Sequence, residues 1–405
     1  MQHRRGQVRE ARPGYIEVAF NGAPASIPLH AQFIVPAKGV TAIFGPPGCG
    51  KTTLARCIAG IQHLPSGFCG VDGEIWQNET TFRPPHLRPV AYVFQRPILF
   101  SHLSVKRTLL YNASKSRATL IDFDGVVKLL DLASLLDCSP SHLSGAERQR
   151  LALGSALLAQ PRLLLLDDPL IVLDRPAKRE ILPFIERVRE ELTLPMIYIS
   201  HDMADIERFA DYLVMMKDGM VTAAGPLQVV QSDPALAARG EAAVCVDTVV
   251  GGYDGRYGLI MVRLRGARLL IPGPPLRPGA QLRLRIAAAD VSIVREAPRA
   301  SSFLNVFPAR IKASLPFDES EITLVLALET GRSGVPLLAR ITRRSFDALG
   351  LSNGMDVFAE VARALPVSPP ERLRITPATP LGDALQRSAD IRNDQESDHG
   401  HDRQF

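Results

Sequence analysis

The sequence predicts a chain in two parts: an α/β domain with a largely parallel sheet, then an all-β region of small barrels. Three observations carry this. Up to about Gln231, short apolar runs alternate with stretches of helical periodicity. Beyond about Asp233, turn-forming residues separate runs in which apolar and charged residues alternate. A length of 405 residues exceeds one ordinary domain.

In the first part, residues 40–44, 90–94, 163–166 and 196–200 are continuous apolar runs. Such runs suit parallel strands covered on both faces. Between them, residues 51–61, 123–136, 147–158 and 177–192 read as helices, which gives the α/β alternation. In the second part, Gly251-Gly252, Asp254-Gly255 and Gly273-Pro274-Pro275 mark turns. Leu282-Arg283-Leu284-Arg285-Ile286 alternates, as does the series Ile322, Leu324, Leu326, Leu328. A faint repeat suggests two β units. Leu276, Gly279, Leu282, Leu284 and Ile286 have the spacing of Leu351, Gly354, Val357, Ala359 and Val361. The expected layout is a flexible tail over 1–14 and the α/β domain over 15–235. A linker with a first β subdomain follows over 236–297, and a second β domain over 298–366. The polar stretch 367–405, with His399 and His401, has the composition of a disordered, solvated tail.

Several classes are excluded. With 46% hydrophobic and 22% charged residues, a core of ordinary size can form. The net charge of +5 is scattered and aromatics are only 6%, so no nucleic-acid-binding face is indicated. Cys49, Cys57, Cys69, Cys138 and Cys245 are odd in number with no C-x-x-C pair, so reduced thiols are expected. The N-terminus carries Arg4, Arg5, Arg9 and Arg12 without an apolar stretch, so it is no secretory signal. No run reaches the roughly 18 apolar residues that span a bilayer. Any membrane-crossing part belongs to another chain.

The chemistry begins at Gly45-Pro46-Pro47-Gly48-Cys49-Gly50-Lys51-Thr52, followed by Thr53. It fits G-x-x-x-x-G-K-[ST] between an apolar run and a helical stretch, the context of a phosphate-binding P-loop. Glycines let backbone N–H groups wrap phosphates, and a helix N-terminus adds partial positive charge. Lys51 can reach the terminal phosphates of ATP, and the Thr52 hydroxyl can ligate Mg²⁺. The bland alternative is a glycine-rich turn. Further on, four leucines lead into Asp167 and Asp168. A central strand of this kind places Asp167 beside the P-loop, where a carboxylate can hold Mg²⁺ directly or through water. Asp168 then stands where a base would orient the attacking water. Between these motifs lies Leu143-Ser144-Gly145-Ala146-Glu147. It reads as a capping box, and equally as a second anion site formed by a hydroxyl, a glycine and a helix N-terminus.

The order of P-loop, Gln95 at a strand end, Leu-Ser-Gly signature, the Asp167 strand, Asp174 and His201 resembles the ABC ATPase family. The likeness covers about residues 15–230. It implies an α/β P-loop NTPase fold, MgATP as cofactor, and two copies paired head to tail. Each ATP would lie between one P-loop and the other copy's signature. It also implies roles: Gln95 for Mg²⁺, the attacking water and the membrane partner; His201 for the γ-phosphate; Asp174 for the dimer loop. On its own, His201 would read as a strand-end or capping residue. Residues 37–45, 178–183, 285–292 and 301–306 are similar to the ATP-binding subunits of molybdate importers. That resemblance implies a C-terminal OB/TOBE-like small barrel, with Ser301, Ser302 and Asn305 as candidate oxyanion ligands. It implies a peripheral subunit on the cytoplasmic face of the inner membrane. The partners would be two permease subunits and, indirectly, an extracytoplasmic molybdate-binding protein.

Four positions depart from the family pattern. Asp168 replaces the catalytic glutamate, and Ala146 replaces a glycine. Leu170-Ile171-Val172-Leu173 lacks a small hydroxyl residue before Asp174, and Leu304 stands where an arginine precedes Asn305. Tyr15 and Phe20 are the candidates for stacking on adenine. The alternatives are an importer for sulfate, iron or another solute, a soluble ATPase of repair or translation, and a slow nucleotide-gated regulator.

Overall fold

The computed structural model describes residues 10–23, 28–113, 120–237, 242–264, 266–329 and 334–368. His399, His401 and nearly all of the expected C-terminal tail lie outside these residues, as does most of the N-terminal one.

The first part is built on one ten-stranded sheet. Its strands are β1 (Tyr15–Gly22), β2 (Leu29–Pro36), β3 (Val40–Phe44), β4 (Gly67–Val71), β5 (Glu74–Gln77), β6 (Val90–Val93), β7 (Leu163–Asp167), β8 (Met196–Ser200), β9 (Tyr212–Lys217) and β10 (Met220–Pro226). They run in the order β5-β4-β1-β2-β10-β9-β3-β8-β7-β6. β9, β3, β8, β7 and β6 are mutually parallel. In β7, Leu163 and Leu165 enter one core while Leu164 and Leu166 enter the core on the other face. That two-residue period on two buried faces is why the segment is apolar throughout. Each leucine buried there is worth about 1.5–3 kcal/mol.

The other half of the sheet goes beyond the sequence reading. β1, β2, β4 and β5 pair antiparallel, and β10 returns antiparallel on β9. In β2, Leu29, Ala31, Phe33 and Val35 are buried while His30, Gln32 and Ile34 are exposed. This one-sided alternation marks a half-solvated sheet and is quieter than a continuous apolar run.

The helices are α1 (Lys51–Ala59), α2 (Val105–Asn112), α3 (Phe123–Leu129), α4 (Gly145–Leu158), α5 (Arg175–Glu191), α6 (Met203–Phe209) and α7 (Leu227–Gln231). The helix expected to run to residue 136 stops at Leu129, because Asp131 takes a left-handed φ of 50°. A helix cannot continue through that conformation.

The second part follows a short helix, α8 (Pro234–Ala237), and holds two five-stranded sheets. The first contains β11 (Ala243–Asp254), β12 (Leu259–Leu264), β13 (Ala267–Pro272) and β14 (Gln281–Ala287). β15 (Val291–Val294), β16 (Val306–Pro316), β17 (Glu321–Leu328), β18 (Val335–Thr342) and β19 (Asp356–Val361) form the second. β20 (Leu365–Pro366) is the last strand among the described residues. The orders are β13-β12-β11-β14-β20 and β18-β17-β16-β19-β15. The repeat seen in the sequence is thus a repeat of structure. Gly279 and Gly354 take φ values of 83° and 87°, open to glycine, just before β14 and β19. Their N–H groups donate to Val250 O at 2.8 Å and Ile311 O at 2.7 Å. The register slips at the same place in each unit, between Val250 and Gly252 and between Ile311 and Ala313. Each unit lends its last strand to the other, since β15 pairs with β19 and β20 with β14. One hydrophobic core runs through both. A division at residue 297 therefore separates β15 from the sheet it pairs with.

The two parts meet at α6. Arg283 of β14 donates to the carbonyls of Glu207 and Ala210 at 3.2 and 2.6 Å, and pairs with Asp247 and Asp211. Arg285 pairs with Glu207 at 3.0 Å. Cys245 sits in a small apolar cluster with Ile206, Ala210, Leu227 and Val230. Arg283 is only 12% exposed, so these bonds are sheltered. Arg283→Met should cost about 2 kcal/mol. Calorimetry should then resolve separate melting of the two parts; a single unshifted transition would contradict this interface.

Candidate functional site

Four neighbouring parallel strands end at one edge of the sheet, β3, β8, β7 and β6. Ligands of open α/β sheets bind in the crevice outside such carboxyl ends. Each strand here delivers a candidate residue into that crevice. The P-loop follows β3, His201 follows β8, Asp168 follows β7, and Gln95 lies just past β6. Together they line a cleft of about 350 Å³ with Pro47, Gly48, Gly50, Thr52, Thr53 and Ile171.

The P-loop is tightly seated. A side chain at Gly45 would place its Cβ 2.2 Å from Met216 O, so only glycine fits. Gly50, at φ 99°, caps α1 without a side-chain bond, leaving the first N–H groups of the helix for an anion. The Lys51 ammonium is held across the loop, donating to Gly45 O at 2.7 Å and Pro46 O at 3.0 Å.

Thr52 Oγ1 donates to Asp167 Oδ1 at 3.0 Å, and the Tyr92 hydroxyl donates to Asp167 Oδ2 at 2.6 Å. Burial pushes the Asp167 carboxyl upward, against the pull of these two bonds. A divalent cation would supply the missing positive charge, and a hydroxyl, a carboxylate and an amide oxygen from Gln95 are the hard donors Mg²⁺ takes. Among the described residues no cluster of three His, Cys, Asp or Glu could hold a metal unaided. A cation here would depend on phosphate oxygens as well.

Asp168 adopts φ 43°, a conformation that Asp tolerates better than most residues. Its carboxylate lies 3.1 Å from His201 Nδ1, and its N–H donates to Ile199 O. The shorter acid therefore reaches the histidine across the strand ends.

The signature residues stand elsewhere. Ser144 caps α4, accepting from Glu147 N at 3.2 Å, while Glu147 accepts from Ser144 N at 2.7 Å. That backbone bond holds the Glu147 carboxyl below the usual range. Leu143 is buried and Gly145 half-buried, and Ser144 faces solvent. Ala146 is fully buried against the core. Its methyl group thus turns away from the surface that Ser144 and Gly145 present. None of the five lines the cleft. Asp174 caps α5, accepting from Ala177 N at 2.9 Å.

Most of the residues singled out for adenine and oxyanion are engaged within the fold. Phe20 is 2% exposed within the core, and Tyr15 pairs with Pro36, at the end of the sheet away from the P-loop. The Asn305 amide is used twice by the Leu270 backbone, at 2.8 and 2.9 Å. It ties β13 of the first unit to the second, with its oxygen and one of its two N–H donors engaged there. Ser301 donates to the Glu360 carboxylate at 3.0 Å, and a carboxylate there repels an oxyanion. Ser302 and Leu304 are exposed. Tyr92, bonded to Asp167, is a group at the site that the motifs did not single out. β6 and β7 pair Tyr92 with Leu165, so period two puts Tyr92 on the face of Asp167.

Comparison with known proteins agrees with this geometry. Residues 30–171 match the ABC transporter family and residues 301–364 the TOBE domain. The chain is 77% identical to "Molybdenum import ATP-binding protein ModC 1" of Bradyrhizobium diazoefficiens, over 88% of this chain and 96% of that one. It is 52% identical to the molybdenum import ATP-binding protein of Rhodopseudomonas palustris (strain HaA2), over 87% and 96%. For the protein of that name from Rhodobacter capsulatus the identity is 45%, over 88% and 98%.

One titration is accessible to test beside His201. Burial, aided by Asp202, pushes the Asp205 carboxyl up to about 6. Unfolded, an aspartate titrates near 3.9. Between these values the folded state binds more protons, so stability falls as pH rises from about 4 to 6. Asp205→Asn should remove that slope, gaining on the order of 2 kcal/mol over wild type at pH 7 relative to pH 4. Parallel stability curves for the two proteins would contradict it.

Proposed function

Because the chain belongs to the molybdenum import ATP-binding proteins of the ABC transporter family, we propose that it hydrolyses ATP to drive molybdate through separate permease subunits. The observation that carries this is the convergence of Lys51, Thr52, Asp167, Gln95, Asp168 and His201 on the carboxyl ends of four adjacent strands. Lys51 and the free N–H groups of α1 take the phosphates. Thr52 and Asp167, with Gln95 nearby, would hold Mg²⁺, which would supply neutralising charge to the phosphates. Asp168 orients the attacking water, and His201, anchored on Asp168, faces the γ-phosphate.

We place a second copy of the chain opposite this cleft. Ser144 and Gly145 lie outside the cleft's lining, while Ile171 and Val172, beside it, are 45% and 48% exposed. Exposed aliphatics next to a ligand cleft suit a surface that closes on a partner. Hydrolysis would remove the phosphate bridge between the copies and let them part. The permease side is a groove of about 240 Å³ lined by Phe94, Pro97, Leu99 and Phe100, with Ile98 exposed at its rim. It begins next to Gln95, so permease contact and nucleotide state share one loop. No helix among the described residues is long and apolar enough to cross a membrane. In this reading the chain is a peripheral subunit at the cytoplasmic face of the inner membrane. An extracytoplasmic molybdate-binding protein loads the permeases.

Reconstitution with the permeases tests this. Lys51→Ala should abolish ATP-dependent molybdate uptake, since a charge-assisted phosphate contact is worth about 1.5–3 kcal/mol to binding alone. Uptake of sulfate but not molybdate by wild type would refute the solute. Asp168 reaches about 1 Å less than glutamate, and such a misplacement costs up to ~100-fold in rate. Asp168→Glu should therefore turn over faster than wild type, and Asp168→Asn should be nearly inactive. An Asn variant as fast as wild type would remove Asp168 from the mechanism.

A further inference from the structure

Tyr92 is not among the residues lining the cleft, yet it holds one that governs it. Its hydroxyl donates to Asp167 Oδ2 at 2.6 Å, and Thr52 donates to Oδ1 at 3.0 Å. Each carboxylate oxygen thus has its own donor, and the two bonds together fix the plane of the group. A carboxylate torsion is otherwise broad. Asp167 is 2% exposed, so water cannot readily replace the tyrosine.

Tyr92 is itself braced. The Phe94 ring packs on it with centroids 4.5 Å apart, and the Arg56 guanidinium acts on both Tyr92 and Asp167. β6 and β7 pair Tyr92 with Leu165 and Val93 with Leu166, which sets the hydroxyl level with the end of β7. Three residues beyond Tyr92 the same segment delivers Gln95 to the cleft.

We propose that Tyr92 is a positioning residue of the divalent-cation site, resting on the ATP reading above. If Thr52 turns its hydroxyl toward a cation, the bond to Oδ1 is lost, and of the two hydrogen-bond donors Tyr92 still holds Asp167. Its bond occupies Oδ2 and leaves Oδ1 available to a cation. Tyr92 also makes the orientation of Asp167 depend on the placement of the segment that carries Gln95. Groups that orient a metal-binding carboxylate typically change metal affinity 10- to 100-fold when removed.

The test uses the full chain with Mn²⁺ as the metal probe, read by its electron paramagnetic resonance signal. Tyr92→Phe keeps the ring and removes the hydroxyl. ATP affinity in EDTA should stay within about twofold of wild type. Mn²⁺ affinity at saturating ATP should fall about 10-fold. In an Asp167→Asn background, Tyr92→Phe should change Mn²⁺ affinity no further. The proposal is overturned by unchanged Mn²⁺ affinity in Tyr92→Phe, by an equal loss of metal-free ATP binding, or by additive effects in the double variant. If Tyr92→Phe does not fold, the hydroxyl is a structural necessity and the proposal falls. If wild type itself binds no ATP, the parent reading fails and takes this one with it. A wild type that binds normally beside an unaltered variant refutes the positioning role alone.

Discussion

The parallel pairing of β3, β8, β7 and β6 is the constraint on which the rest depends. Parallel strands in register end at one level, so whatever follows them in sequence is brought together in space. Segments far apart in the chain, such as those of Gly48 and His201, come to one cleft through backbone pairing before any side chain is considered. The leucines of β7, packed on both faces, keep that pairing dry and rigid. The polar groups at the strand ends then need only short bonds to finish the site. Thr52 and Tyr92 meet Asp167, and His201 meets Asp168.

Where the sequence was legible, the physics was local. A P-loop requires glycines and a lysine at fixed spacing, because backbone N–H groups do the binding. The strands at 40–44 and 196–200 were readable to the residue because continuous apolar runs have few other uses. The antiparallel half of the sheet was harder, since β2 alternates like any half-exposed strand. Tyr92 was missed because a tyrosine inside an apolar run looks like core until the register with β7 is known. Asn305 was legible as notable but not as to purpose. Its amide binds Leu270, and nothing in the local sequence reveals a contact with residues 35 positions away.

The β region carries a different lesson. Two similar units trade their last strands, so neither sheet is complete without the other. The faint repeat of leucines and glycines was the visible trace of this, because the paired glycines serve the same turn and the same bulge in each unit. The region is fastened to the ATPase part where Arg283 and Arg285 grip α6, the helix that follows His201. α6 thus joins the β region to the segment that carries His201.

In the function proposed above, one chain holds half a site: a cleft that binds ATP, with Ser144 and Gly145 left to complete the cleft of a second copy. Sedimentation velocity of Asp168→Asn, in which ATP persists unhydrolysed, measures this directly. The expected result is monomers without nucleotide and dimers with MgATP, and monomers again when Ser144→Arg blocks the signature. Protein that remains monomeric at saturating MgATP, or a Ser144→Arg variant that still dimerises, would contradict it.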